Sequence, residues 1–378
     1  MKSIIMHSRI SLILLIILCV VLLAVVSGCL IMNTKPFGQI PEGARLDSIK
    51  RSPNFRDGKF QNQTNRPDLS EGVSYWKAFW DSMTKKDKRS TPKDSIPTMK
   101  TDLRGLNPRE NVLVWLGHSS SYLQLDGKRI LIDPVLSKNG SPVSFINKAY
   151  KGTSIYQPAD FPDIDVLLIS HDHWDHLDYP TVKALQPRVK KVICGLGTGE
   201  HFRRWGYRED QIVEKDWNQL VVIDSSLKIT VTPAHHNSGR GTKIRRSLWA
   251  SFVIRSTSFN IYYSGDSGYD KHFKAIGQAY GPFDLSLIEC GQYDQNYKYT
   301  HMQPEQSMQA AIDLKTVRMV PVHWAKFTES NHAWDEPIKR ITALARQHHL
   351  LLVTPMIGQA VDLDHIPLSF PEWWRGIN

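Results

Sequence analysis

Short apolar runs separated by turn residues dominate the chain from residue 111 onward. The runs are rich in β-branched and aromatic residues, a composition typical of strands. The predicted strands cover residues 111–116, 122–125, 129–132, 165–170, 191–194, 220–223, 228–232, 250–254, 260–264, 285–288, 318–322 and 350–353. Helical periodicity is found at residues 179–185, 305–314 and 337–349. Many short strands with few helices between them predict sheets packed on each other with helices outside, an α/β layered domain.

The N-terminal residues follow a different pattern. Residues 10–26 form an unbroken apolar run, and the segment before it contains Lys2 and Arg9 but no acidic residue. The run ends at V-S-G-C, which resembles the lipobox of bacterial lipoproteins, where Cys29 is acylated and begins the mature chain. The alternative is an uncleaved membrane anchor, for which a run of 17 residues is at the short limit. Both interpretations predict an extracytoplasmic, membrane-anchored protein. For the lipoprotein, Leu30 after Cys29 gives no signal for retention in the inner membrane, so the outer membrane is expected if the cell has one.

Three segments are therefore expected. Residues 1–28 are a lipoprotein signal peptide, residues 29–105 a lipidated tether and extension, and residues 106–378 the main domain. The middle segment is polar and contains proline, with one possible short helix of aromatic residues around positions 75–80.

Composition narrows the class of function. Hydrophobic residues make up 41% of the chain and charged residues 22%, which predicts a globular protein. The four cysteines form no C-x-x-C pair, which excludes a zinc finger or thioredoxin motif. Without residues 1–28, 45 basic residues face 37 acidic ones. This excess favours anionic partners such as phospholipid headgroups or belongs to an ordinary basic surface. Nucleic acid is not expected, because the basic and aromatic pattern of nucleic-acid enzymes is missing.

Four predicted strands end in residues that bind divalent metals. The strand at 165–170 is followed by H-D-H-W-D-H (171–176), and three others are followed by His235 and His236, by Asp266 and by His323. Sites on sheets form from loops at strand ends, so these loops can converge. In an extended loop His171 and His173 face the same way and can chelate one ion. Imidazoles and carboxylates without thiolates suit zinc, with iron or manganese as weaker candidates.

The order and spacing of these motifs resemble the metallo-β-lactamase-fold hydrolases. The nearest branch is that of N-acylphosphatidylethanolamine-hydrolysing phospholipase D and its bacterial relatives, and ascorbate-6-phosphate lactonase is more distant. The resemblance spans about residues 106–363. It is carried by W-L-G-H-S-S (115–120), S-H-D-H-W-D-H-L-D (170–178), T-P-A-H-H-N-S-G-R (232–240), Y-S-G-D-S-G-Y (263–269), Y-T-H-M-Q-P-E (299–305) and V-H-W (322–324). It implies a four-layer αββα sandwich of the metallo-β-lactamase type.

The resemblance also implies roles for individual residues. The first of two zinc ions is assigned His171, His173 and one of His235 and His236, where the position in the family's pattern selects His236. The second ion is assigned Asp175, His176 and His323, and Asp266 bridges both. The same resemblance places His301 against the substrate, as a contact or a proton donor.

Two adjacent cations can activate a shared water molecule, so no Ser or Cys nucleophile is required. Asp175 is expected to orient that water through a hydrogen bond. The expected activity is hydrolysis of a phosphodiester of the N-acylphosphatidylethanolamine kind, with a small-molecule or phospholipid substrate. The alternatives are a metal-dependent lactonase or amidase and a non-catalytic surface lipoprotein.

Overall fold

Two seven-stranded sheets form the centre of the molecule, described by a computed structural model that covers the backbone of residues 2–378 and the side chains of residues 12–378. The strands are β1 Phe55–Arg56, β2 Lys59–Phe60, β3 Val112–Trp115, β4 Ser121–Leu125, β5 Lys128–Ile132, β6 Ile164–Ile169, β7 Val189–Gly195, β8 Ile212–Lys215, β9 Gln219–Val222, β10 Leu227–Thr232, β11 Ser251–Ser256, β12 Asn260–Tyr263, β13 Leu285–Glu289, β14 Arg318–Val322, β15 Leu351–Leu352 and β16 Ala360–Asp362. The helices are α1 Lys2–Met32, α2 Gly43–Ile49, α3 Tyr75–Thr84, α4 Tyr179–Leu185, α5 Gly199–Arg204, α6 His272–Ala279, α7 Pro304–Asp313 and α8 Glu336–His348.

The two large sheets have matching topologies. The first runs in the order β16-β3-β4-β5-β6-β7-β8 and the second in the order β15-β14-β13-β12-β11-β10-β9. In each sheet, three neighbouring strand pairs are antiparallel and three are parallel. The β1–β2 hairpin is a separate two-stranded sheet in the N-terminal extension.

Alternation along the strands of the first sheet builds two cores. Leu113, Leu123 and Ile130 face the second sheet and pack with Ile229 and Phe252. Other strand residues face the opposite side of this sheet and pack with apolar side chains of α4 and α5. The strand residues are Val114, Tyr122, Leu131 and Leu167, and the helix residues are Val182, Leu185 and Phe202. Because successive side chains of a strand point to opposite faces, a sheet buried on both sides has this pattern. The apolar sides of α6, α7 and α8 cover the second sheet, so the layers run helix, sheet, sheet, helix, as expected.

The predicted elements agree with the structure over most of the domain. The three predicted helices correspond to α4, α7 and α8, and the predicted strands to twelve of the observed ones. The prediction missed β8 and β16, two strands at the edges of the first sheet, and the short helices α5 and α6. Edge strands bury less surface and give a weaker sequence signal: the burial of β8 declines along its length, and β16 has only three residues.

The N-terminal extension is more than a tether. The expected aromatic helix corresponds to α3, and the β1–β2 hairpin places Phe60 in the core between the sheets, where it is fully buried. Ile49 and Ile96 join the same core. The backbone N–H of Phe60 donates to the carbonyl of Arg245 at 2.9 Å. Apolar residues scattered in a polar stretch gave no periodic signal, so their burial was not predicted.

The helix α1 differs from the rest of the molecule. Its residues Leu12–Met32 have a mean hydropathy of 3.3 over the most apolar window, and none of that window is buried. By length and composition this helix can cross a membrane, and a signal sequence has the same properties.

Candidate metal centre

The loops after β6, β10, β12 and β14 meet and bring the predicted ligands together. In the last turn before Asp266, Gly265 has φ +56°, and a Cβ there would lie 2.8 Å from both the Ala250 carbonyl oxygen and Ser170 Cβ. Only glycine fits this approach, so the turn after β12 can pack directly against the end of β6. The side chains of His171, His173, Asp175, His176, His236, Asp266 and His323 all belong to clusters whose ligand atoms lie within 4.8 Å of one another.

Three imidazoles form the first group of ligands, which we call the three-histidine group: His171, His173 and His236. Nε2 of His171 lies 2.9 Å from Nδ1 of His173, and Nε2 of His236 lies 3.3 Å from the same Nδ1. Three nitrogen atoms at these distances can face one cation from three sides, as in tetrahedral zinc sites.

The second group, which we call the aspartate group, combines Asp175, His176 and His323. Oδ2 of Asp175 lies 3.2 Å from Nε2 of His176 and 3.0 Å from Nε2 of His118. His118, which directly follows the first predicted strand and a glycine, therefore holds the carboxylate of Asp175 in place.

Asp266 lies between the two groups. Its Oδ2 is 3.1 Å from Nε2 of His176 and 3.3 Å from Nε2 of His323. The same oxygen is 3.8 Å from Nε2 of His171 and 3.8 Å from Nε2 of His236. One carboxylate thus faces both groups, which is the position of a ligand shared by two ions.

Unpartnered atoms show that these residues fit metal ions. Nε2 of His176, Nε2 of His323 and Oδ1 of Asp266 are buried and have no hydrogen-bond partner among the described residues. Two carboxylates approach Nε2 of His176, but without hydrogen-bond geometry. A buried polar atom left unsatisfied costs about 1–3 kcal/mol, so three in one cluster are well explained by cation binding.

The second nitrogen of most ligand imidazoles is held by a neighbouring oxygen. Such contacts fix the ring orientation and the tautomer of a metal-binding histidine. The pairs are His171 Nδ1 with Ser170 Oγ at 3.0 Å, His176 Nδ1 with Asp133 Oδ2 at 2.7 Å, His323 Nδ1 with Ser119 Oγ at 3.1 Å and His236 Nδ1 with the Thr300 carbonyl at 3.2 Å. Asp133 also accepts hydrogen bonds from Ser170 and Tyr263, so one buried carboxylate organises the end of β6.

The electrostatics favour metal-binding protonation states for most of the ligands. Burial lowers the pKa values of His171, His236 and His323 well below the usual value, which keeps these rings neutral. Burial alone would raise the pKa of Asp175 and of Asp266, but the charges and hydrogen bonds of the neighbouring histidines, of which His176 contributes most, together hold both pKa values below their usual range. Neutral imidazoles and ionised carboxylates are the forms that bind cations.

His176 is the exception in this cluster. Burial alone would lower its pKa, but the charges of Asp266 and Asp175 outweigh burial and raise it well above the usual value. The position between two carboxylates that attracts a proton to this ring is also the position that attracts a divalent cation.

His301 lies beside both groups. Its Nδ1 is 2.8 Å from Oε2 of Glu289, which is fully buried at the end of β13. Its ring stacks on that of His323 with centroids 5.1 Å apart and meets the ring of His236 edge-on at 5.0 Å. Burial alone would lower the pKa of His301, but the charge and hydrogen bond of Glu289 raise it above the usual value.

The structure distinguishes between the two adjacent histidines that the sequence left open. His236 lies in the three-histidine group, whereas Nδ1 of His235 is directed to Oδ2 of Asp270 at 3.2 Å. Asn62 of the N-terminal extension holds the backbone of His236 at both ends, donating from Nδ2 to the carbonyl at 2.9 Å and accepting from the N–H at 3.1 Å.

Sequence reasoning missed several residues around the site. Glu289 directly follows the strand predicted at residues 285–288, as His171 follows the strand at 165–170, so the same pattern could have found it. Asn62 and Glu329 lie in loops that carry no periodic or motif signal. Oε2 of Glu329 lies 3.8 Å from Nε2 of His323, and its Oε1 accepts from Asn147 at 2.6 Å. Only the folded chain brings these residues to the site.

Residues 128–324, just over half of the chain, match the family described as the β-lactamase superfamily domain. The chain belongs to this superfamily and is a metallo-β-lactamase-fold hydrolase related to N-acylphosphatidylethanolamine-hydrolysing phospholipase D. It is a metal-dependent hydrolase by family and by the side chains that meet at the site.

Known relatives cover most of the chain. It is 36% identical over 341 residues to an uncharacterised protein of Mycobacterium tuberculosis, spanning 88% of this chain and 91% of that one. It is 28% identical over 269 residues to N-acyl-phosphatidylethanolamine-hydrolyzing phospholipase D 1 of Caenorhabditis elegans, spanning 63% and 74%. CmlA of Streptomyces venezuelae, a diiron β-hydroxylase, has a similar fold, with a TM-score of 0.52 and 19% identity over 68% of this chain and 55% of that one.

Proposed function

We propose that this protein is a dinuclear metal-dependent phosphodiesterase of the phospholipase D type, acting on N-acylphosphatidylethanolamine-like or related phosphodiesters. The observation that carries the proposal is the position of Asp266, whose Oδ2 lies within 3.8 Å of imidazole nitrogens from both ligand groups. The named activity of the relative in Caenorhabditis elegans supports the phosphodiester as substrate.

The three-histidine group would hold one cation and the aspartate group the other, with Asp266 shared. When bound, two divalent cations supply Lewis acidity, which acidifies water and offsets negative charge developing on phosphoryl oxygens. Zinc is the ion we propose, because the ligands are imidazoles and carboxylates. Iron is the second candidate, since a diiron enzyme has a similar fold.

Two side chains would act on the reactants. Asp175 would orient the attacking water by accepting its hydrogen bond, while His118 holds the carboxylate from the other side at 3.0 Å. Glu289 engages Nδ1 of His301, which leaves Nε2 to contact the substrate and to hold a proton for the leaving group. Ser and Cys nucleophiles have no part in this scheme.

The N-terminal segment would attach the protein to the membrane that contains its substrate. We propose an extracytoplasmic lipoprotein anchored through acylated Cys29, in line with the apolar and exposed stretch Leu12–Met32. Intact-mass measurement of the membrane-extracted protein distinguishes this state from an uncleaved anchor, because the mature lipoprotein lacks residues 1–28 and carries acyl chains on Cys29.

The test combines metal analysis with substrate comparison on the full chain in detergent. We expect about two ions per chain by elemental mass spectrometry and release of phosphatidic acid from N-acylphosphatidylethanolamine. In His171→Ala we expect loss of at least one ion and a fall in turnover on the order of 1000-fold. The matched control is His272→Ala, a buried histidine outside the ligand groups. Cleavage of only a lactone or a cephalosporin would favour the lactonase or amidase alternative, and a metal-free, inactive wild type would favour a non-catalytic lipoprotein.

A further inference from the structure

The helix α3 exposes a continuous apolar face. Its large apolar side chains lie at positions that share one side of a helix, and each is between 56% and 72% exposed: Tyr75, Trp76, Phe79, Trp80 and Met83. Trp76 packs against Phe79 and Trp80 with ring centroids 5.8 and 6.5 Å apart. A contiguous exposed patch of this kind on a folded protein marks an interaction surface. We call it the aromatic face.

The orientation of α3 is set by its polar side. Ser74 caps the helix by accepting the N–H of Lys77 at 3.1 Å. Asp81, which is buried, pairs with Nζ of Lys77 at 2.6 Å and Nζ of Lys85 at 3.0 Å. Asp81 is buried and the Nζ of Lys77 also donates to Oδ1 of Asn296. The polar side of α3 therefore faces the protein, and the aromatic face lies on the outside.

The helix α3 and the residues on either side of it are hydrogen-bonded to the loops that border the candidate metal centre. Nζ of Lys77 donates to Oδ1 of Asn296 at 3.3 Å, and the N–H of Ser70 donates to the carbonyl of Asn296 at 2.8 Å. Asn296 lies in the loop that carries His301. After α3, the N–H of Asp87 donates to the carbonyl of Asn331, two residues beyond Glu329.

A second apolar projection is attached to the same border. Phe145 is 73% exposed and Ile146 is half exposed. Their neighbour Asn147 donates from Nδ2 to Oε1 of Glu329 at 2.6 Å and accepts from the N–H of Thr328 at 3.2 Å. Exposed apolar side chains therefore lie on two segments that are both hydrogen-bonded to the loops around the site.

Charge and composition identify the occupant of this surface. Exposed Lys85, Lys86 and Lys88 follow α3 directly. Tryptophan and tyrosine with adjacent lysines are the residues that settle at the boundary between lipid headgroups and hydrocarbon, and lysines attract anionic headgroups. The same chain carries the exposed apolar stretch Leu12–Met32, which can cross a membrane. This N-terminal stretch is independent support for a lipid surface as the partner of the protein.

We propose that the aromatic face of α3, together with Phe145 and Ile146, docks on the surface of an anionic phospholipid bilayer. The loops carrying His301 and Glu329 would then lie at the headgroup layer, where the phosphodiester of a lipid is found. Docking itself follows from the exposed residues, whereas its benefit for lipid cleavage rests on the proposed function.

Docking is tested with the full chain in nanodiscs of phosphatidylglycerol. The difference in emission between wild type and Trp76→Phe/Trp80→Phe isolates the fluorescence of these two tryptophans. We expect brominated phosphatidylglycerol to quench at least half of this difference emission, and brominated phosphatidylcholine to quench less. Equal emission in brominated and unbrominated nanodiscs would overturn the proposal.

Activity is then compared on two substrates. For Trp76→Ser/Phe79→Ser/Trp80→Ser we expect turnover of the phospholipid in anionic vesicles to fall at least tenfold, with turnover of a water-soluble phosphodiester unchanged within twofold. The matched control is Leu368→Ser, which changes an exposed apolar residue and is expected to leave both rates unchanged.

The outcomes separate the two proposals. If wild type cleaves neither substrate, the proposed function is contradicted. The quenching of tryptophan emission by brominated lipid still tests docking in that case. Equal vesicle turnover by the triple variant and wild type contradicts the inference. A wild-type dimer that the triple variant dissociates in sedimentation would assign the aromatic face to a second copy of the chain and also overturn it.

Discussion

The three-histidine group and the aspartate group differ in charge and in what holds their ligands. His171 and His236 of the first group contact uncharged oxygens, a hydroxyl and a backbone carbonyl. In the aspartate group, His176 lies between Asp175 and Asp266 and is held from behind by Asp133. Negative charge is thus concentrated on one side of the centre, and Asp266 is the carboxylate that both sides share.

Because of this difference, the two ligand groups would not bind cations equally. Attraction between a divalent cation and a carboxylate in a buried site is much stronger than in water. The aspartate group offers that attraction directly, whereas the three-histidine group depends on Asp266 for negative charge. The first group also depends on the N-terminal extension, because Asn62 holds the backbone of His236.

The largest effect is expected from removal of the shared carboxylate. In Asp266→Ala both groups lose the ligand that they have in common, so we expect less than one ion per chain and a fall in turnover on the order of 1000-fold. Elemental mass spectrometry and a phosphodiester assay measure the two quantities. Retention of two ions would show that Asp266 is not shared.

An intermediate effect is expected when only the three-histidine group is changed. His236→Ala removes one ligand of that group, and we expect loss of about one ion per chain while the aspartate group stays occupied. His235→Ala is the matched control, because its side chain contacts Asp270 and not the ligand nitrogens. The titration of metal content against added zinc measures the difference. Equal metal content in both variants would contradict the placement of these histidines.

The smallest effect is expected from a change of Asp133, which contacts the ring of His176 in the aspartate group. Asp133→Asn keeps the size of the side chain but removes the charge that lies 2.7 Å from Nδ1 of His176. Loss of such a supporting contact costs about 10- to 100-fold in metal affinity or activity. Competition with a zinc chelator measures the affinity, and circular dichroism checks that the variant is folded. A loss as large as that of Asp266→Ala would mean that Asp133 supports more of the fold than this one ring.

The features of this protein that could be predicted are those that follow from local sequence patterns. The strands that precede His171, Asp266 and His323 were recognised because burial on the pleated faces of a sheet requires apolar residues in short runs. The H-D-H-W-D-H segment predicted a candidate metal site because its candidate ligands are close in sequence and can be brought together by the local backbone. The candidate ligands required no knowledge of distant contacts.

Tertiary contacts decided what local pattern leaves open. His236 joins the three-histidine group and His235 does not, and the backbone of His236 is held by Asn62, which lies 174 residues away in sequence. The pairing of β16 with β3 is a similar case, because it joins Ala360 to Val114.

The layered fold, the types of candidate ligand and their order along the chain could be read from the amino-acid sequence, because they follow from periodicity and from short-range spacing. Only the folded chain decided which ring faces Asp266, that Glu289 engages His301, and that the aromatic face of α3 stays exposed. The physical reason is that hydrogen bonds and burial join residues far apart in sequence, and such contacts leave no local pattern.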